Sequence, residues 1–135
     1  MTTTFLIILT LILWAISGAA NGVTDTLQFH YSTSIFRKLN PLFWDPKLSW
    51  RNKYRDGDPE KGARFPGSTT WLVWTTDALH LFDTISRKAA QLSACFLITA
   101  AAGWPLWAVL PALVGVKVAA NVGFHIVYSR LEKRM

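Results

Sequence analysis

Apolar and polar positions in this chain alternate in long blocks with the period of a helix, not of a strand. Residues 5–20 are apolar except for Thr10, Ser17 and Gly18, which predicts a first membrane span over 5–22. Ser17-Gly18-Ala19-Ala20 offers the small residues that signal peptidase cuts. The residues before the run carry no basic side chain, however, so the span is read as retained. Beyond it, Val23, Leu27, Tyr31, Ile35 and Leu39 recur four apart, with Asp25, Gln28 and Ser32 on another face. This pattern predicts one helix over 5–39 that leaves the bilayer amphipathically and stops at Asn40-Pro41.

The pattern breaks over 40–68, where Pro41, Pro46, Pro59 and Pro66 alternate with Gly57, Gly62 and Gly67. Phe43, Trp44, Trp50, Tyr54 and Phe65 are interleaved there with Arg51, Lys53, Arg55 and Arg64, more aromatics than a solvated linker needs. The expectation is an ordered basic, aromatic cap on the membrane surface. Helical period returns over 69–103, capped by Ser68 or Thr69: Trp71, Trp74, Ala78, Leu81, Phe82 and Ile85 form an apolar face against Asp77, His80, Asp83 and Arg87. The second half, about 86–103, is the second expected span, and Gly103-Trp104-Pro105 the hairpin after it. Residues 104–128 make the third span, and 129–135 a basic tail with Arg130, Lys133 and Arg134. A rival layout makes 94–116 a single crossing kinked at Pro105 and Pro111.

Composition turns these blocks into a fold class. In 135 residues, 51% are hydrophobic and seven are tryptophan, too many long apolar runs for a soluble core of this size. The chain reads as one all-α integral membrane domain with three transmembrane helices, two of them lengthened by amphipathic segments. The net charge of +6 does not point to nucleic acid, because eight of the fourteen Lys and Arg residues lie between Arg37 and Arg64, flanked by apolar segments. That placement puts the cap and the C-terminus in the cytoplasm and the N-terminus outside. Cys95 has no second cysteine to pair with and reads as a packing residue.

Candidate chemistry follows from polar residues inside apolar segments. Lys117, Asn121 and His125 fall four apart and share one face of the third span. A mid-span lysine is costly unless it meets protein or water, so this stripe is expected to face the other helices, with Lys117 either snorkelling or paired to Asp83 or Asp25. At about 1.5 Å per residue, His30, His80 and His125 each lie roughly 30–37 Å from the far end of a straight helix, in one layer with Asp25, Asp77 and Asp83. Asp77-x-x-His80 has the spacing of paired ligands on helical metal sites, and with His125 it makes a set suited to a divalent transition metal or to acid/base work. Arg51, Lys53 and Arg64 of the cap, with Lys117 and Asn121, are the candidate ligand-binding residues, suited to phosphate or anionic headgroups. No nucleophile elbow, Walker loop, EF-hand or cysteine knuckle is present.

Three function classes remain. The first is a non-catalytic membrane subunit or scaffold whose cap docks anionic lipid or a protein partner. The second is a small membrane enzyme acting on a lipid or other amphiphile through Asp77, His80 and His125. The third is a holin-like homo-oligomeric pore, against which the long cap counts.

Overall fold

The computed structural model describes residues 3–132, with side chains through residue 127; the regular secondary structure among them is helical, apart from one isolated bridge between Tyr54 and Ala63. The α-helices are α1 (Thr3–Phe29), α2 (Pro41–Trp44), α3 (Ala78–Ala101) and α4 (Val109–Glu132), joined by 3-10 turns. The chain divides into two compact units: residues up to Ala15 together with those from Ala89 onward, and Ile16–Lys88.

Helix α1 buries Leu6, Thr10, Ser17, Ala20, Thr24 and Leu27, a stripe with steps of three, four or seven residues, as a helix seated against a neighbour requires. Most of these side chains are small, which lets backbones approach until a hydroxyl reaches a carbonyl. In the first unit Ser93 of α3 donates to the Thr10 carbonyl at 3.2 Å, and Thr10 itself donates to Leu6 one turn back at 2.9 Å. In the second unit the Ser17 hydroxyl reaches the Ser86 carbonyl at 2.9 Å. Every buried side-chain nitrogen or oxygen among the described residues has a hydrogen-bond partner.

The outward faces are apolar. Ile7, Ile8, Leu11, Ile12 and Trp14 of α1 are exposed, as are Trp107, Leu110, Val114, Val118 and Val122 around α4. Among the described residues, two segments, Thr3–Phe29 and Leu106–Val127, are long and apolar enough to cross a membrane. Helix α3 is not among them, because His80, Asp83, Arg87 and Lys88 occupy its first half.

Several element boundaries differ from the sequence pattern. Helix α1 stops at Phe29, not Leu39, and 31–38 forms two 3-10 turns. There Thr33 and Ser34 turn their hydroxyls onto carbonyls three residues back, offering the backbone an alternative to the helix. Helix α3 starts at Ala78 instead of 69, since 69–77 is taken up by turns. At its far end, Gly103 adopts φ +64°, Gly103 N–H bonds to Ala100 and Trp104 N–H bonds to Thr99, a pair of bonds that terminates the helix with a left-handed glycine. The single kinked crossing over 94–116 therefore does not form. Helix α4 continues through Glu132; the side chain of Arg130, together with Lys133 and Arg134 of the basic tail, lies outside the described residues.

Candidate functional site

Asp77 is the first residue of interest, and its immediate role is to start a helix. Its Oδ1 accepts the His80 N–H at 2.9 Å and its carbonyl accepts the Leu81 N–H at 3.1 Å, which makes it the N-cap of α3. The His80 ring lies back over the same carboxylate, with Nδ1 2.8 Å from Oδ2 and 2.9 Å from Oδ1. Asp77 is buried, whereas 59% of the His80 side chain is exposed. A proton on Nδ1 satisfies that contact and leaves Nε2 directed away from the carboxylate as an acceptor. The helix cap expected at Ser68 or Thr69 is thus displaced to Asp77. Ser68 instead is fully buried, donating to the Lys53 carbonyl at 2.7 Å.

The cap segment is tied to this helix start by a chain of polar contacts. Arg64 donates to Asn52 Oδ1, and Asn52 Nδ2 donates to the carbonyl of Thr76, the residue before Asp77. No local pattern in the sequence points to Asn52, because 24 residues separate it from Thr76 and no periodicity links them. Residues 53–64 close on themselves through Arg64 N–H to Lys53 O and Arg55 N–H to Gly62 O, each 3.0 Å. Asp56 at φ +54° and Gly57 at φ +73° make the left-handed turn between them. Gly67, at φ +86°, takes a backbone conformation that favours glycine, and a β-carbon there would make the exposed Trp71 indole, 2.7 Å away, shift.

Over this frame lies an open cleft of about 460 Å³. Arg64, Asn52, Tyr54 and Asp56 supply its polar lining and Leu42 and Phe43 an apolar wall. Of the three cap residues predicted to bind a ligand, Arg64 lines the cleft. Arg51 and Lys53 instead stack, each 5.3 Å from the ring centres of Trp50 and Tyr54 respectively. Trp44 anchors the segment, stacked on Phe36 at 4.8 Å and tilted against Phe82 of α3 at 5.9 Å. Nearby, burial and the Asp45 carboxylate raise the Tyr31 phenol above its ordinary pKa, partly offset by Arg37.

The remaining predicted residues do not assemble. Lys117, Asn121 and His125, the stripe expected to face the other helices, are exposed along α4. Asp25 accepts a hydrogen bond from Asn21, and Asp83 pairs with Arg87. His30 lies one residue past the end of α1, and His125 belongs to the first unit while Asp77 and His80 belong to the second. Among the described residues no three His, Cys, Asp or Glu side chains gather closely enough to hold a metal ion. The straight-helix arithmetic placed these groups by height alone, and height does not bring side chains into contact.

No family model, curated protein or solved structure matches the chain.

Proposed function

We propose that this chain is a small multi-pass membrane protein, a non-catalytic subunit or scaffold whose basic aromatic segment 40–68 docks on anionic lipid headgroups. The observation that carries the reading is the pairing of cations with aromatic rings in that segment: Arg51 lies over Trp50, itself 45% exposed, and Lys53 over the half-buried Tyr54. Aromatic rings of this kind settle at the headgroup level, and stacked cations beside them meet lipid phosphate without losing their packing. The same reading takes the apolar second half of α3 as a third crossing, with the N-terminus outside and the cap and C-terminus in the cytoplasm, since cytoplasmic loops collect Lys and Arg.

The test is reconstitution of the full chain in phosphatidylcholine nanodiscs with and without brominated phosphatidylglycerol. Docking predicts tryptophan quenching by the brominated anionic lipid that falls in Trp50→Phe and in Arg51→Ala. Equal quenching by brominated phosphatidylcholine would remove the preference for anionic headgroups. Sidedness is read separately by labelling Glu60→Cys, in a Cys95→Ala background, with an impermeant maleimide on intact cells.

A second reading, a small enzyme acting on an amphiphile, draws on the His80 ring held by Asp77 with Nε2 facing outward. A zinc titration followed through the His80 ring resonances tests its metal form. A saturable shift near stoichiometric zinc supports it, and unchanged resonances leave Asp77 and His80 as a helix start.

A further inference from the structure

Lys117 sits at the middle of the apolar segment Leu106–Val127, eleven residues after its first position and ten before its last. At about 1.5 Å per residue, either end is roughly 15 Å away, farther than an extended lysine stem reaches. Snorkelling to the interface therefore does not solve its burial. Nor does its own unit: Lys117 is exposed, and residues 1–15 and 89–127 of that unit hold no carboxylate to pair with it. Asn121 and His125, one and two turns further on, are exposed on the same face. The flanking Leu110 and Val114 are exposed as well.

A mid-span ammonium with amide and imidazole groups in line behind it fits a helix that brings a carboxylate to the same depth. A second copy of this chain does not supply one. Residues 1–15 and 89–127 contain no Asp or Glu. In the other apolar segment, Thr3–Phe29, the sole carboxylate is Asp25, four residues from its end. We infer that the Lys117–Asn121–His125 face of α4 is the docking surface for a membrane-spanning helix of a different protein that carries Asp or Glu near its midpoint. The carboxylate pairs with Lys117, and Asn121 hydrogen-bonds the partner beside it. This rests on the membrane reading above and gives the proposed subunit its partner's chemistry.

The probe is a synthetic Leu/Ala helix of about 20 residues with a single central Asp, and the control has Leu in its place. The full chain, fluorophore-labelled, is reconstituted with each in phosphatidylcholine vesicles, and association is followed by energy transfer. The Asp helix is expected to associate on the order of tenfold more strongly than the Leu helix. Lys117→Leu, a change at an exposed position that leaves the fold intact, abolishes the difference, and Lys117→Glu restores association with a helix whose central residue is Lys. Equal association of the Asp and Leu helices, or a difference that survives Lys117→Leu, overturns the proposal. So does energy transfer between labelled copies of the chain that Lys117→Leu removes, which would make this face a contact between copies. Vesicle flotation after an alkaline wash separates the two levels. A chain that fails to float refutes the membrane reading and the partner with it, whereas a chain that floats without distinguishing the two helices refutes the partner alone.

Discussion

Thr10, Ser17 and Thr24 recur every seventh residue along α1 and are buried, whereas Lys117, Asn121 and His125 recur every fourth residue along α4 and are exposed. Both sets are polar positions within apolar helices, and what separates them is size and valence. A serine or threonine has one hydroxyl proton, which a carbonyl one turn back accepts: Thr10 bonds to Leu6 at 2.9 Å and Thr24 to Ala20 at 3.1 Å. Thr10 and Thr24 are then satisfied inside their own helix, while Ser17 reaches the Ser86 carbonyl of α3, and each group is thin enough to lie between two backbones. A lysine carries a full charge and three donors at the end of a long stem, and a helix cannot satisfy that internally. The hydroxyl stripe is buried in the fold; the α4 stripe is exposed.

The largest effect that would sharpen this contrast is expected at Lys117. Lys117→Leu should make α4, tested as a single segment in a glycosylation-based insertion assay, more favourable to insert by roughly 3 kcal/mol. Unchanged insertion would mean that α4 does not enter lipid, and the contrast would collapse. Next is bulk in the packed stripe. Ser93 is fully buried against Thr10, and Ser93→Leu should destabilise the folded protein by about 1–3 kcal/mol in detergent unfolding. Ala120→Leu, on the exposed surface of α4, should stay within about 0.5 kcal/mol. Similar losses for the two would show that α1 and α3 are not closely packed at Ser93.

Asp77 is a third polar group whose work is local. Asp77→Ala should cost about 1 kcal/mol through loss of the α3 cap, while Asp77→Asn, which retains a cap oxygen, costs much less. Equal melting of the two variants would shift the weight from the cap to the contact with His80. The smallest effect belongs to Thr24→Val, which keeps the branched shape and removes only a bond within the helix. Its stability should change by no more than about 0.5 kcal/mol in the same unfolding measurement.

Much of the helical architecture was legible because apolar period and glycine or proline breaks are local. The hairpin at Gly103 is an example, since a left-handed residue before Trp104-Pro105 needs only its neighbours to form. The end of α1 was not legible, because the apolar spacing from Val23 to Leu39 continues through residues whose hydroxyls prefer tight turns. The helix start at Asp77 was misplaced for a related reason: Ser68 and Asp77 are both good caps by residue type, and the burial of Ser68 under the cap segment decides between them.

The sequence by itself determined that this chain is helical and that a basic aromatic segment lies between apolar ones, because these depend on composition and short-range period; of the three spans it predicted, two are long and apolar enough to cross a membrane among the described residues. Only the tertiary structure decided which polar groups meet. It joined Arg64 to Asn52 and Asn52 to Thr76, and buried Ser68 against the Lys53 carbonyl. Those outcomes depend on where turns end and how closely backbones approach, quantities that accumulate over many residues and that no local pattern encodes.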